Sequence, residues 1–329
     1  MQSGKTDMKI AFIFYDFSSF VRQDRDILAR HFKVKATNYR RPYDIFKIIT
    51  SIWNSDASFS WFASGHSFLA VLFSRLFGKK SIVVAGGYDV ACVPWLDYGQ
   101  FTKSILKRSM TIFSLRYADL ILPVSEFTQK EVLRWATPQK NHVIYNGIDM
   151  ERFKSASGKE DLVITVGAVS RSNLRRKGLE TFVKSARMVP EARFVVIGRE
   201  QDDSIDRLRS LASSNVSFTG YVSDEELLLW YQRARVYVQV SAYESFGMSL
   251  AEAMLCECVP VVTEKGALPE VVGDTGFYVA YEDEKATARG IKEALGSNKG
   301  ANARRRIEDL FSLTRREKAL IESIEALFR

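Results

Sequence analysis

The sequence predicts an α/β protein made of two doubly wound, Rossmann-like parallel-sheet domains. Three observations carry this. The chain has 329 residues, more than one ordinary domain requires. In both halves, short apolar runs alternate with amphipathic stretches, the pattern of strands buried on both faces and joined by crossover helices. Near the middle this alternation is interrupted by turn and linker residues.

In the first half, residues 9–15 (KIAFIFY) read as a strand and 25–32 (RDILARHF) as the helix that follows. Residues 81–85, 120–124 and 142–145 read as further short buried strands. The apolar stretch 67–77 is broken by Ser74 and Arg75, and the first apolar run is too short for a secretory signal or a membrane span. A cytoplasmic protein is therefore expected. In the second half, 161–166, 193–197, 216–218, 236–240 and 259–262 read as strands. Residues 178–188 read as a helix, with Leu179, Phe182, Val183 and Ala186 at helical spacing, and 248–256 as another. Asn146-Gly147-Ile148-Asp149 marks a turn and 154–159 (KSASGK) a linker. The expected division is 1–150, 151–305 and a final helical segment 306–329, where Leu320, Ile324 and Leu327 make one apolar stripe.

The net charge of +8 is placed unevenly: residues 1–150 hold 20 Lys/Arg against 12 Asp/Glu, whereas 151–329 hold 27 of each. A one-sided basic excess attracts nucleic acid, an acidic membrane or a phosphorylated substrate, or simply keeps the protein soluble. Lys103, Lys107, Arg108 and Arg116, interleaved with Ile105, Leu106, Met110, Ile112 and Phe113, suit an amphipathic helix lying on an anionic bilayer. A core-facing helix explains the same pattern. The three cysteines, Cys92, Cys256 and Cys258, are too few and odd in number for a disulfide framework, and with three histidines they give no zinc spacing. Buried packing is expected of Cys256 and Cys258. A dinucleotide fingerprint is missing after the first strand, where Asp16-Phe17-Ser18-Ser19-Phe20 stands, and the strand ending at Ile197 is followed by a single Gly198. With no Walker A sequence either, nicotinamide oxidoreductases and P-loop enzymes are disfavoured.

Two constellations carry chemistry. The first is Glu244-Ser245-Phe246-Gly247-Met248-Ser249-Leu250-Ala251-Glu252, between a strand and a helix. Free backbone N–H groups and the positive end of the helix dipole make such a junction a phosphate site, and Gly247 lets the backbone approach an anion. The flanking carboxylates repel phosphate and make sense as acceptors for sugar and ribose hydroxyls; alternatively Glu252 stabilises a helix start and Glu244 is solvated. The second is the basic run Arg171 and Arg175-Arg176-Lys177-Gly178, after the strand ending at Val166-Gly167. Fixed positive charge there suits a diphosphate and the negative charge that grows on a leaving nucleoside diphosphate. A solvated basic turn is the plainer reading.

In this order and spacing, the two constellations resemble the retaining family 4 glycosyltransferases. The matches are Gly167, Arg171, Lys177-Gly178, Glu244, Phe246-Gly247 and Glu252, with Pro123-Val124-Ser125-Glu126, Asn146-Gly147-Ile148-Asp149, Gly220-Tyr221-Val222, Val259-Pro260-Val261-Val262, Gly266 to Val272 and Gly276-Phe277 in register around them. The similarity spans roughly residues 80–285. It implies the GT-B fold: two Rossmann-like domains facing a cleft, the N-terminal one binding the acceptor, the C-terminal one the nucleotide sugar, and the last helix crossing back. It implies that Arg171 and Lys177 contact the diphosphate, that the Phe246–Gly247–Met248–Ser249–Leu250 backbone cradles phosphate and sugar, and that Glu244 bonds the transferred sugar's hydroxyls. Glu252 would hold the ribose, and Tyr221 and Val222 would lie near the base. The implied reaction is metal-independent, front-face, retaining transfer of a hexosyl-type sugar from a UDP- or GDP-sugar to a glycan or lipid-linked acceptor. The enzyme would be cytoplasmic, with no nucleic-acid partner and no cofactor; the basic first half leaves open attachment to the cytoplasmic membrane face or none.

The sequence departs from the family where the acceptor is expected. Ser18-Ser19-Phe20 stands where relatives carry a glycine-rich loop, and Gly86-Gly87-Tyr88-Asp89 where many carry a histidine. His66, Gly87, Tyr88 and Asp89 are the residues left to face the acceptor, with a structural role at a helix start as the equal alternative for His66. Competing readings are a nucleotide-sugar epimerase of the same fold, which would release product without an acceptor, and a non-catalytic basic protein binding membrane or nucleic acid, the latter with steep salt dependence.

Overall fold

The computed structural model describes residues 7–329, which divide into two compact units, the residues up to Asn146 with Thr314–Arg329, and Gly147–Leu313.

The first unit alternates strand and helix: β1 (Lys9–Phe14), α1 (Ser19–His31), β2 (Lys33–Asn38), α2 (Ile45–Trp53), β3 (Ala57–Trp61), α3 (Gly65–Leu76), β4 (Lys80–Ala85), α4 (Ile105–Tyr117), β5 (Leu120–Pro123) and α5 (Glu126–Trp135). Its sheet is wholly parallel in the order β2-β1-β3-β4-β5. Two of these strands escape the sequence reading for a physical reason. β2 (KVKATN) is an edge strand that carries lysines, and β3 (ASFSW) is rich in serine although every residue is buried. Ser58 is tolerated there because its hydroxyl pairs with that of Ser74 at 2.8 Å.

Two expectations are corrected. The first helix begins at Ser19 rather than Arg25, so Ser19 and Phe20 lie in its first turn. Residues 142–145 are not a strand of the sheet. They run beside β5, with His142 N–H donating to Ile121 O (3.1 Å) and Ile144 N–H to Pro123 O (3.0 Å), but the carbonyls of Ile144 and Tyr145 are both taken by the Arg316 guanidinium, at 2.9 and 2.8 Å. Those acceptors are thereby closed to a further strand.

The second unit contains β6 (Glu160–Val166), α6 (Arg171–Arg176), α7 (Leu179–Ser185), β7 (Arg193–Ile197), α8 (Ser204–Leu211), β8 (Val216–Gly220), α9 (Asp224–Arg233), β9 (Ala234–Gln239), α10 (Met248–Leu255), β10 (Val259–Thr263), α11 (Leu268–Val272), β11 (Phe277–Val279), α12 (Glu284–Leu295) and α13 (Gly300–Leu310). Its six parallel strands run β8-β7-β6-β9-β10-β11, a doubly wound Rossmann order. Val163, Phe194, Val236, Val238 and Val261 from the sheet pack with Leu179, Phe182, Val183 and Ile291 from the helices. Cys256 and Cys258 are free thiols buried in this unit, and burial pushes them up to about 12 and about 11.

The final segment is two helices rather than one: α13 stops at Leu310, and α14 (Leu313–Glu325) follows after Phe311 and Ser312. From Thr314 on, α14 belongs to the first unit, where Leu320 and Ile324 are buried. Arg316 is its anchor. The guanidinium meets both oxygens of buried Asp24 at 2.7 Å, and Asp24 also accepts the Trp61 indole N–H at 2.9 Å. Among the described residues no helix is long and apolar enough to cross a membrane.

Candidate active site

In the second unit β6 and β9 are neighbours whose crossovers leave in opposite directions. Such a switch point opens a crevice at the carboxyl ends of the two strands. Both sequence constellations fall there. Gly178 has φ +68°, and a Cβ on it would lie 2.2 Å from the Val240 carbonyl oxygen; no side chain fits, and the loops after β6 and β9 close on each other. Ala242 N–H donates to Arg176 O across the same seam at 2.8 Å.

This closure sets Lys177 Nζ to donate to Glu244 Oε1. Arg176 Nη1 lies 3.9 Å from the same oxygen, and Glu244 is buried. A third loop fixes the Glu244 backbone: Ala267 N–H donates to the Glu244 main-chain carbonyl at 2.8 Å, and Gly266, at φ +62°, has room for no Cβ against that carbonyl. A buried ion pair of this kind contributes little net stability but strongly resists loss of one partner.

Gly247, at φ +96°, caps α10, so the unpaired N–H groups of the helix's first turn open beside the pair. Close by lie two buried polar atoms with no partner among the described residues, Gln239 Nε2 and Ser241 Oγ, the former 3.6 Å from where a Gly247 Cβ would be. Phe246 is in the core, its ring 5.5 Å from that of Phe311, and Leu250 is buried, so both present only backbone to the site. Met248 and Ser249 are half-buried in the first turn of α10. Glu252, one turn further on, accepts the Tyr231 hydroxyl at 3.0 Å, and burial pushes its carboxyl up to about 7. Tyr221, just past β8, is exposed with the Arg199 guanidinium 5.2 Å from its ring centre, and Val222 beside it is half-buried.

The structure does not bring Arg171 to this group. Its side chain is 82% exposed and reaches Asp203 at 3.4 Å, while its N–H donates to Asp202 at 2.9 Å. Arg171 opens α6 one full turn and more before Lys177, which turns it outward; Arg176, 15% exposed, is the arginine beside Lys177 and Glu244. Sequence reasoning also passed over Tyr231 and Gln239, whose interior positions on α9 and β9 carry no motif.

In the first unit the acceptor-side expectations divide. His66 is buried in α3: Nε2–H donates to the Trp61 carbonyl at 2.6 Å, and Nδ1 accepts from Ser64 Oγ at 2.8 Å. Burial lowers it to about 4, which keeps it neutral. Asp89 is likewise interior. It accepts from Ala63 N–H at 2.7 Å, Gly87 N–H at 2.8 Å and Gly86 N–H at 3.1 Å, and burial raises it to about 6. Gly87 is buried in the same turn, which leaves Tyr88 exposed at the surface.

Among the described residues no group of three or more His, Cys, Asp or Glu side chains is placed to hold a metal ion. Solved structures share the fold over nearly the whole chain. Anabaena Alr3699/HepE in complex with UDP and glucose superposes with a TM-score of 0.79 at 16% identity, over 97% of this chain and 100% of that one. Sucrose-phosphate synthase from Thermosynechococcus elongatus gives 0.77 at 18%, over 98% and 99%. The architecture is thus the two-domain GT-B fold. Residues 160–297, which contain the whole site, match the family of glycosyl transferases group 1.

Among curated relatives, the lipopolysaccharide core biosynthesis mannosyltransferase LpcC of Rhizobium leguminosarum bv. viciae is 30% identical over 204 residues, 54% of this chain and 57% of that protein. The O-antigen chain mannosyltransferase B of Escherichia coli is 29% identical over 206 residues, 55% and 53%. A Campylobacter jejuni N-acetylgalactosaminyltransferase acting on a diphospho-undecaprenol is 24% identical over 243 residues, 69% and 64%. The chain thus spans between half and two thirds of the length of these relatives.

Proposed function

We propose that the protein is a retaining glycosyltransferase that moves a hexosyl-type sugar from a UDP- or GDP-sugar to a glycan or lipid-linked acceptor. The observation that carries this reading is the Lys177–Glu244 pair at the β6/β9 switch point, inside the stretch that matches the family. Lys177 and Arg176, with the N–H groups after Gly247, would hold the donor's diphosphate. Each charge-assisted hydrogen bond contributes about 1.5–3 kcal/mol. The incoming diphosphate would replace Glu244 as the partner of Lys177 and free that carboxylate to accept the sugar's hydroxyls. Glu252 would hold the ribose, and Tyr221 and Val222 would flank the base. In front-face transfer the departing phosphate oxygen takes the acceptor's proton as the new glycosidic bond forms, and the fixed charges stabilise the leaving group. Arg171 keeps a place in this reading only by swinging away from Asp203. Tyr88 is the acceptor-side residue that remains exposed in the first unit, the one this reading gives to the acceptor.

The named activities of the relatives, on lipopolysaccharide, O-antigen and a lipid diphosphate, support a membrane-borne acceptor. So does α4, where Ile105 and Leu106 stand exposed beside Lys107 and Arg108, with Trp95 exposed just before it. We place the protein at an anionic membrane surface. Liposome sedimentation is expected to show retention by anionic vesicles that neutral ones do not match, and equal retention would remove the membrane from this reading. The donor site is tested by calorimetry with nucleoside diphosphates and nucleotide sugars on the wild type, Lys177→Ala and Glu252→Ala. Micromolar binding of one base class, lost in both variants, is expected; a folded protein that binds none of them would overturn the assignment.

A further inference from the structure

We propose that Tyr231 is a positioning residue for the nucleotide: from beneath the site its hydroxyl holds Glu252 in place and ionised, so that the carboxylate can accept the ribose hydroxyls. The proposal rests on the reading above that Glu252 faces the ribose.

The geometry that carries it is one-sided. Tyr231 is fully buried in the last turn of α9, and its hydroxyl donates to Glu252 Oε2 at 3.0 Å. The ring is wedged between Tyr237 and Phe153, each 6.2 Å away centre to centre. The Tyr231 carbonyl is fixed as well, accepting from Lys159 Nζ at 2.9 Å and Cys258 Sγ at 3.1 Å. The hydroxyl therefore has a set position: its proton goes to one carboxylate oxygen, and Ser249 is its other side-chain neighbour. Among the described residues, Glu252 Oε1 has no partner. A carboxylate pinned at one oxygen and open at the other is pre-organised to receive a diol.

The surroundings explain why a pin is needed. Asp224, from the start of α9, pushes the carboxyl up, while Arg152 pulls it down; these two lie 3.3 Å from each other. Tyr237 from β9 and Cys256 from the next turn of α10 face it uncharged, their own protons held more tightly by burial. From α13 the nearest cation, Arg304, is committed to the Leu255 and Phe153 carbonyls and to Glu308. Burial thus dominates and brings Glu252 to about 7, and the Tyr231 hydroxyl is the largest influence that opposes it. Tyr231 itself is held well above its ordinary value by burial, so it remains a proton donor to the carboxylate at every working pH.

The test uses the full chain, with the Glu252 side-chain carboxyl followed by carbon NMR in the wild type and Tyr231→Phe, assigned by its loss in Glu252→Gln. Calorimetry with UDP and GDP is run on the same three proteins from pH 5.5 to 9. Losing a hydrogen bond to a charged acceptor should move the Glu252 midpoint up by roughly one pH unit. Nucleotide binding by Tyr231→Phe should then be about fivefold weaker at pH 7 and nearly restored at pH 9, where both carboxyls are ionised. Ionisation of the nucleotide's own phosphate is common to all three proteins and cancels. An unmoved midpoint, or a loss of affinity equal at every pH, would overturn the positioning role, the latter showing Tyr231 to be packing alone. Unchanged binding in Glu252→Gln would instead sink the ribose assignment, whatever Tyr231 does to the carboxyl.

Discussion

The two switch points of this molecule share a topology and have opposite chemistry. In the second unit the crevice between β6 and β9 is lined by charge: Lys177, Arg176 and Glu244 meet there, and Gln239 and Ser241 lie close by with polar atoms that have no partner among the described residues. In the first unit the equivalent place, between β1 and β3, is aromatic. Phe17 packs on Phe14 at 4.7 Å, and Phe20 on Trp61 at 4.8 Å. Phe62 sits at φ +67°, a left-handed conformation costly for a bulky residue, with its ring over Gly86, where a Cβ would fall 2.2 Å from it. Of the charged groups nearby, Asp24 with Arg316 and Asp89 with its three backbone N–H donors are internal and closed on themselves, while the Arg22 and Arg25 guanidiniums lie 5.4 and 5.2 Å from the Phe17 ring centre. A doubly wound sheet supplies a crevice; only the loops decide whether it is built for an anion. Buried charge in the first unit should therefore answer to stability, and in the second to ligand binding.

The largest effect that would break this contrast is at Arg316. Arg316→Ala leaves Asp24 buried without its cation, which should cost about 3–5 kcal/mol in denaturant unfolding. Nucleotide binding per folded molecule should be unchanged; its loss would show that the first unit's ion pair serves the ligand after all. Next comes Lys177→Ala, where the transfer rate should fall about 10²–10³-fold, the usual cost of removing one fixed group that stabilises a developing anion. Its unfolding midpoint should move less than that of Arg316→Ala, because Arg176 remains 3.9 Å from Glu244. Smaller again is a paired comparison. Arg176→Ala should weaken nucleoside diphosphate binding by about 1.5–3 kcal/mol, the value of a charge-assisted bond. Arg171→Ala should stay within about 0.5 kcal/mol, as exposed substitutions do. The reverse ranking in calorimetry would return Arg171 to the role that the family resemblance gave it.

How legible the molecule was in its sequence follows the same division. Strands with continuous Val, Ile and Leu, such as β4, β6, β7 and β10, announce themselves, and the Glu244–Glu252 and Lys177-Gly178 segments are legible because backbone geometry demands glycine at fixed places. β2 and β3 were hidden because edge position and serine–serine pairing let polar residues into a strand. The positions of Arg171 and Arg176 were hidden too, since helical phase along α6 decides which arginine turns inward, and a six-residue helix gives no apolar periodicity to read it from. His66 and Asp89 were open to an acceptor role on sequence alone; here Asp89 is bound by backbone N–H groups and His66 by the Trp61 carbonyl and the Ser64 hydroxyl, partners that no sequence pattern reveals.

Those two residues give the finest test, because their pH effects have opposite sign. His66 is lowered to about 4 from an ordinary 6.5, so the unfolded chain binds the extra proton in between; its contribution is whole above 6.5 and is lost as the pH falls towards 4. Asp89 is raised to about 6 from 3.8, so the folded state holds the proton in between, and its contribution improves as the pH falls through the same range. Between pH 4 and 6 the two nearly cancel in the wild type. Relative to Asp89→Asn, the wild type should gain stability on acidification from pH 6 to 4, and relative to His66→Gln it should lose it, each by about 2–3 kcal/mol at most. Hydrogen exchange of the β3 and β4 amides in the full chain reads both differences, and subtracting each variant from the wild type removes every other titrating group. Parallel slopes for the two variants would mean that at least one of these side chains reaches solvent or a ligand, and the first unit's buried charges would then no longer be purely structural.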